Sequence, residues 1–427
     1  MNIPSITCLR PSLGVSVLMA WCIGVTSNPA RAANEMFTDP RGIYTVKVAG
    51  KPVGESQART YFGVQLLPDE KLVGFAGAVG GNALSLTGVS SYGGFADPER
   101  KSYVHALTGN GRGFIVDIEE FRVADLRCAQ DLSGWIEPGT KVVIRPHPHL
   151  ADLFGAANRF GLGSGPAADV ADNVVAWDPQ IQQERVYYFH SIRGRWEEKD
   201  VEADASLAVM RFPYGLYIVR RSSGALRVSL SGAVGADPLL LPVRTGANVF
   251  SLPVNLAASL DQLISSSGAF PVASGENSNK ADLLMFEEPY TGSQRGPFYY
   301  STRPNSGGWR KVGEGPGAGA TLDLLSTLIL HRRGLPGYVR AEGSLVPGPV
   351  PVVVAPDPEP GELPLEGEIM FPRRFPSQWN LMIETCTDLQ TWVPLLSGQI
   401  TKHADRVTFP LPAGQGRGFY RLKATQP

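Results

Sequence analysis

Apolar and polar residues alternate along many short stretches of the chain, and this period of two is typical of β-strands with one buried face. The pattern is clear in GIYTVKV (42–48), NALSLTG (82–88) and RGFIVDI (112–118). Two further runs, VYYF (186–189) and LYIVRR (216–221), are rich in the aromatic and β-branched residues that favour strands. Clusters of Gly, Ser, Pro and Asn separate these runs and mark turns. The chain is therefore predicted to be all-β.

Helical spacing occurs in two short segments only. LADLF (150–154) and SLDQLI (259–264) each place two leucines three residues apart, on one face of a helix. Each segment predicts one or two helical turns.

The chain is similar to itself at an offset of about 110 residues. GTKVVIRP (139–146) resembles GANVFSLP (246–253), and aromatic clusters, prolines and glycines recur in the same order after each. The most informative matches are Leu150 with Leu260, Asp172 with Asp282, Trp196 with Trp309, and Arg220-Arg221 with Arg332-Arg333. A repeat of this kind predicts two homologous β modules, residues 139–245 and 246–346.

Other segments flank the two repeats. Residues 33–138 are predicted to form an N-terminal β module. Residues 347–364 contain seven prolines and are predicted to be an extended linker. Residues 365–427 hold the strand-like pieces WNLMIET, RVTFPL and GFYRLKA, and they predict a separate C-terminal β-sandwich-like domain.

The N-terminus has the pattern of a secretory signal peptide. Arg10 precedes an apolar run at residues 13–25, and Ala30-Arg31-Ala32 offers small residues at a cleavage site. We expect cleavage after Ala32 and an exported product located in the periplasm, at the cell surface or outside the cell. No later stretch of 18 apolar residues predicts a transmembrane segment.

Composition and charge exclude several classes of protein. The 427 residues include 39 Lys plus Arg and 40 Asp plus Glu, so the formal charge is −1. A chain so nearly neutral lacks the basic surface that nucleic-acid binding needs. With 43% apolar and 19% charged residues, the chain is also too apolar to be disordered. Cys128 and Cys386 remain after signal cleavage, and we expect them to be buried free thiols.

Taken in order, these segments resemble a family of uncharacterised secreted proteins of Verrucomicrobia-type bacteria. The resemblance rests on TDPRGIYTV (38–46), a DLSG…PGTKVVI run, the LADLF segment, and the progression from aromatic strand to turn, Trp and Arg-Arg. The tail is similar to a β-domain common at the C-termini of such proteins, marked by TDLQTW (387–392) and FYRL (419–422). The resemblance implies secretion but no catalytic residue.

Several motifs have chemical potential that their context weakens. His147 and His149 form an H-x-H that could grip a metal on a strand, but flanking prolines favour a surface turn. GNGRG (109–113) is predicted to be a hairpin turn rather than a phosphate loop. Adjacent acids such as Glu197-Glu198 and Glu287-Glu288 face opposite sides of a strand, so they cannot flank one glycosidic bond and we expect solvated edges. We expect no metal site, no cofactor and no catalytic residue.

The duplicated residues are the strongest candidates for binding. Trp196 and Trp309, with Tyr188 and Tyr299 nearby, could stack on sugar rings, or the two indoles could anchor the cores. The duplicated Asp could bind calcium or sugar, or begin a turn. The Arg pairs could meet acidic glycans, or keep strand ends soluble.

These features favour a non-catalytic structural and interaction protein of the cell envelope or extracellular space. Surface glycans or other envelope proteins are its expected partners. Carbohydrate binding is the alternative, and polysaccharide hydrolysis is the third hypothesis.

Overall fold

The structure is a computed structural model that confirms the all-β prediction. It describes residues 35–37, 41–64, 66–178, 182–234, 239–251, 260, 274–287, 294–303, 308–313, 327–341, 368–372, 380–386, 392–395, 400–403, 406–410 and 417–425. The predicted signal peptide and Pro-rich linker lie outside these residues.

The strands are β1 (Glu35–Phe37), β2 (Arg41–Val48), β3 (Ala58–Gly63), β4 (Leu72–Gly80), β5 (Ala83–Leu86), β6 (Ser102–Ala106), β7 (Ile115–Phe121), β8 (Leu126–Cys128), β9 (Lys141–Pro146), β10 (Asn173–Asp178), β11 (Gln183–His190), β12 (Arg195–Glu198), β13 (Val201–Asp204), β14 (Gly215–Arg220), β15 (Leu226–Ala233), β16 (Leu239–Val243), β17 (Gly246–Ser251), β18 (Leu283–Glu287), β19 (Gln294–Ser301), β20 (Gly308–Lys311), β21 (Thr327–Arg332), β22 (Gly337–Ala341), β23 (Glu368–Pro372), β24 (Asn380–Cys386), β25 (Val393–Pro394), β26 (Thr401–Lys402), β27 (Arg406–Pro410) and β28 (Arg417–Thr425). The predicted helix at 150–154 is α1 (Leu150–Phe154), with a 3-10 turn at Gly93–Phe95. Of the second predicted helix only Leu260 is described, and it is buried. Within the described residues no helix has the length and apolarity to cross a membrane.

The two repeats form sheets with the same strand order. The first sheet runs β13-β12-β11-β10-β14-β3, and the second runs β20-β19-β18-β21-β17. In each sheet the duplicated Trp lies on the second strand of a hairpin, Trp196 on β12 after β11 and Trp309 on β20 after β19. The two Trp strands therefore occupy the same place in the strand order, as the sequence match requires. In each repeat a further antiparallel pair follows, β15 with β2 and β22 with β16.

The first repeat begins earlier in the chain than its predicted start at residue 139. In the second sheet β17 pairs with β21. In the first sheet the equivalent of β21 is β14, and its partner is β3. The similarity of GTKVVIRP (139–146) to GANVFSLP therefore does not mark equivalent strands. The first repeat is discontinuous, and it includes β2 and β3 from the segment assigned by sequence to the N-terminal module.

A closed six-stranded barrel interrupts the first repeat. Strands β4 to β9 close in the order β4-β5-β8-β7-β6-β9, and β9 pairs with both β4 and β6. The chain enters the barrel after β3 and leaves it just before α1. Its apolar core includes Val104, Val116, Leu126 and Cys128, all nearly inaccessible to solvent. GNGRG lies in the connection between β6 and β7, as predicted.

The C-terminal strands pack as two small sheets around one core. β28 and β24 face β23 and β27 across a cluster that includes Phe371, Ile383, Phe409 and Leu422. This region is not separate from the rest of the chain. β28 also pairs with β2, and Ile43 of β2 lies in the same cluster. The C-terminal strands thus extend a sheet of the first repeat.

The two cysteines are buried free thiols in different cores, as predicted. Burial raises the pKa of the Cys128 thiol to about 12. A thiol with so high a pKa stays protonated and unreactive at neutral pH.

The two repeat sheets meet at equivalent positions. Gly63 and Gly215 face each other in the first sheet, and the matching positions in the second are Ser251 and Thr327. A Cβ placed on Gly63 would overlap the Ser251 side chain, and one on Gly215 would lie 3.2 Å from Cγ2 of Thr327. The two glycines of the first sheet make room for the larger Ser251 and Thr327 of the second.

Two equivalent residues also bond each sheet to the edge strand of the other. The Trp177 Nε1–H of β10 donates to the Ala247 carbonyl of β17 at 2.9 Å. At the matching position in β18, the Glu287 carboxylate accepts from the Tyr61 N–H of β3 at 2.6 Å. These bonds satisfy backbone groups on edge strands that would otherwise be open to pairing with other chains.

We expect Gly63→Ala to destabilise the protein by about 1–3 kcal/mol, because an added methyl group would overpack the contact with Ser251. Urea denaturation of the purified protein would measure the loss. The double variant with Ser251→Gly should recover part of it. Gly80→Ala is the control, since no heavy atom lies within 4 Å of a Cβ there. An equal loss in both alanine variants would contradict the close approach.

Glu287 should make stability depend on pH in one direction. It is 1% exposed, and burial raises its pKa to about 7 despite the hydrogen bonds from Tyr61 and Gln294. The folded state therefore holds this proton more tightly than the unfolded state. The free energy of unfolding should fall as pH rises from about 5 to about 7, with a limiting slope of about 1.4 kcal/mol per pH unit.

Denaturation of Glu287→Gln across the same pH range should lack this decline. Glu119→Gln, at an exposed carboxylate, is the matched control and should retain it. A decline of unchanged size in Glu287→Gln would assign the pH dependence to other groups.

Candidate functional site

The four residues predicted to bind ligand do not converge on one site. Trp196 is 0% exposed in the core of the first repeat, and its Nε1–H donates to the Gly155 carbonyl at 2.8 Å. Trp309 is 2% exposed in the core of the second repeat, edge-on to Tyr300. Neither indole presents a ring face to solvent.

The two tyrosines lie on the hairpins that carry these tryptophans. Tyr188 is 8% exposed, and its hydroxyl donates to the Glu197 carboxylate at 3.3 Å. Tyr299 is half-buried and lies opposite Arg310 in the strand register. The pairs Tyr188–Trp196 and Tyr299–Trp309 lie on hairpins of two different sheets.

The duplicated Asp and Arg residues form an identical buried clamp in each repeat. In the first, Asp172 Oδ2 accepts from Arg220 Nη1 at 2.5 Å, and Oδ1 accepts from the Arg221 N–H at 2.7 Å. In the second, Asp282 Oδ2 accepts from Arg332 at 2.7 Å and Oδ1 from the Arg333 N–H at 2.6 Å. We call these the Asp–Arg clamps.

The second arginine of each pair completes the clamp. Arg221 donates to the Ala171 carbonyl, and Arg333 donates to the Ala281 carbonyl. Both carboxylate oxygens of each Asp are thus engaged inside the protein. The clamps fix the end of a central strand to the loop before the first hairpin. The described residues contain no cluster of three metal-binding side chains.

Two acids expected at solvated edges are instead buried. Glu197 and Glu287 are each 1% exposed. Burial alone would raise the pKa of Glu197, but hydrogen bonds from Arg193 and Arg195 at 3.0 and 2.9 Å hold it below its usual value. The expectation for these two residues was wrong. Arg193 of the preceding turn and Arg195 on the same strand cover Glu197, and Tyr61 from another sheet bonds Glu287, which strand alternation does not reveal.

The H-x-H motif is also buried rather than part of a surface turn. His147 is 0% exposed and His149 is 1% exposed. His147 Nδ1 accepts from the Phe212 N–H at 3.1 Å, so its Nε2–H donates to Asp117 Oδ1 at 3.0 Å. His147 therefore orients Asp117, which reaches a cleft on the surface.

This cleft lies where the barrel meets both repeats, and it is our candidate site. It has a volume of about 370 Å³. We call it the junction cleft. Its polar and aromatic lining includes Asp117 and Gln130 from the barrel, Arg211, Phe212 and Tyr214 from the first repeat, and Arg244 and Tyr338 from the second. Binding sites are common at such junctions between structural units.

The charges of the junction cleft favour an anion. Arg211 lies 3.5 Å from Asp117, so these two charges offset each other. Burial would raise the pKa of Asp117, but His147 and then Arg211 hold it below its usual value. The exposed Arg244 guanidinium has no ion pair with the described residues. Among the residues that the structure describes, the Arg244 charge therefore has no carboxylate paired with it.

Two tyrosine rings of the cleft are held by aromatic neighbours. Tyr338 packs 4.7 Å from Trp135, and its hydroxyl donates to Gln130 Oε1 at 3.1 Å. Tyr214 stacks on Phe250 at 5.8 Å with an interplanar angle of 29°. Burial raises the pKa of both tyrosines, which therefore stay neutral. The cleft offers rigid ring surfaces beside an arginine.

A second cavity of about 350 Å³ lies between the barrel and the first repeat. Its charged residues already pair across it, Arg41 with Asp69 and Arg100 with Asp152. This pairing leaves it less suited to a charged ligand than the junction cleft.

Breaking an Asp–Arg clamp should cost far more stability than breaking a surface ion pair. We expect Asp172→Asn to lower the free energy of unfolding by about 3 kcal/mol, because Arg220 would remain buried without a carboxylate. Glu276→Gln removes an exposed ion pair with Lys280 and should leave the free energy of unfolding almost unchanged. Denaturation at pH 7 compares them, and similar losses would argue against the clamp.

No protein-family model, curated protein or solved structure matches this chain. Its function must therefore be inferred from its own residues.

Proposed function

We propose that the protein is an exported, non-catalytic structural and interaction protein of the cell envelope or extracellular space. The observation that carries this proposal is the use of the duplicated residues. Both Asp–Arg clamps and both tryptophans make internal contacts in which the two repeats are alike. The duplication therefore supports preserved architecture rather than a duplicated reaction.

The chemistry of the junction cleft also favours binding over hydrolysis. A glycosidase needs one carboxylic acid whose pKa is raised, so that it can protonate the leaving oxygen. Asp117 is the cleft's carboxylate, and His147 and Arg211 hold its pKa low. An acid held in its ionised form is a poor proton donor at neutral pH.

Carbohydrate binding is the second candidate function, and the junction cleft favours it. Aromatic rings provide flat apolar surfaces, while amide and guanidinium groups provide hydrogen bonds. Tyr214, Tyr338, Gln130 and Arg244 supply both kinds of contact. Trp196 and Trp309 would support this function only through the stability of the two sheets.

Sedimentation with insoluble polymers tests the proposal. The mature chain is mixed with purified bacterial cell walls and with insoluble polysaccharides, and the pellet and released reducing sugars are measured. We expect co-sedimentation with at least one of these materials and no release of sugar. Release that is abolished by Asp117→Asn would establish a hydrolase and overturn the non-catalytic role. Failure to sediment with any of them would oppose the envelope role.

A further inference from the structure

We infer that the junction cleft binds an acidic saccharide, with Arg244 as the partner of its carboxylate and the Tyr214 and Tyr338 rings as its apolar walls. This inference rests on the proposed role in binding and names the ligand class of the same cleft.

The first argument is charge. The described residues that line the cleft include two arginines and one carboxylate, and that carboxylate lies 3.5 Å from Arg211. Arg244 is exposed at its rim with no ion pair among the described residues. A guanidinium can meet a planar carboxylate through two parallel hydrogen bonds. A neutral sugar would leave this geometry unused.

The second argument is that the backbone of Arg244 is held in place. Its backbone N–H donates to Asn248 Oδ1 at 2.9 Å, and its carbonyl accepts from Asn248 Nδ2 at 2.7 Å. Asn248 is fully buried. The backbone that carries the guanidinium is therefore fixed before a ligand arrives. Fixing it in advance reduces the ordering cost of binding.

The third argument is the lining opposite the charge. Tyr338 is held between Trp135 and Gln130, and Tyr214 is held against Phe250. A sugar ring has apolar C–H faces and polar edges, so it matches ring surfaces beside amide donors and acceptors. The volume of about 370 Å³ lies at the small end of ligand sites, about 300–1,000 Å³, and fits a short segment of a chain.

Isothermal titration of the mature protein tests the inference with a galacturonic-acid trimer. The same trimer with every carboxyl methyl-esterified keeps the sugar rings and removes the charge. Acetate tests the carboxylate without the rings, and triglycine tests a carboxylate carried on a peptide. We expect the acidic trimer to bind at least about tenfold more tightly than each of the other three, because it alone uses both the arginine and the ring surfaces.

Two arginine variants localise the binding. Arg244→Gln should weaken binding of the acidic trimer by about tenfold or more, and it should leave the weak affinity for the esterified trimer unchanged. Arg122→Gln is the matched control, because it removes an exposed arginine outside the cleft, and it should bind as the parent protein does. Unchanged melting temperatures would show that both variants fold.

The possible outcomes separate this inference from the proposed function. Equal binding of acidic and esterified trimers, or a loss in Arg122→Gln as large as in Arg244→Gln, would overturn the acidic-saccharide site. Equal binding of triglycine would overturn the saccharide class. If any of these results is found while the protein still sediments with cell walls, the proposed interaction role remains supported. Release of sugar in the sedimentation experiment would overturn the non-catalytic role as well.

Discussion

The packing of the two repeat sheets depends on the missing side chains of Gly63 and Gly215. Matching positions of duplicated units would normally carry similar residues, and bulky residues on both sides of this contact would collide. Here the first repeat has two glycines where the second has Ser251 and Thr327. This difference in size brings the sheets close enough for Trp177 and Glu287 to reach the opposite edge strands.

Buried ionic groups then fix the internal geometry of each sheet. A buried ion pair adds little net stability over an apolar pair of the same shape, but it is costly to break and so favours one arrangement. Each Asp–Arg clamp uses both carboxylate oxygens, one on a guanidinium and one on the next backbone N–H. A shifted strand would lose both contacts, so the clamps specify register.

The sequence predicted features that depend on local pattern and missed those that depend on distant partners. Alternation found the strands, leucine spacing found α1, and the repeat found the Trp hairpins. Strand similarity alone could not show that residues 141–146 close a barrel while β3 completes the first sheet. The junction cleft was invisible for the same reason, since no periodicity connects Asp117, Arg244 and Tyr338.

The barrel gives the junction cleft a wall that neither of the duplicated sheets supplies. It is inserted in the first repeat, yet the Leu240 N–H of the second repeat donates to the Gly113 carbonyl of the barrel at 2.8 Å. Leu240 and Tyr338 also pack on the barrel core. The barrel inserted in the first repeat is therefore also in contact with the second. The cleft shares Phe212, Tyr214 and Val243 with the core of the second repeat, so the packing that holds this sheet also holds one wall of the cleft.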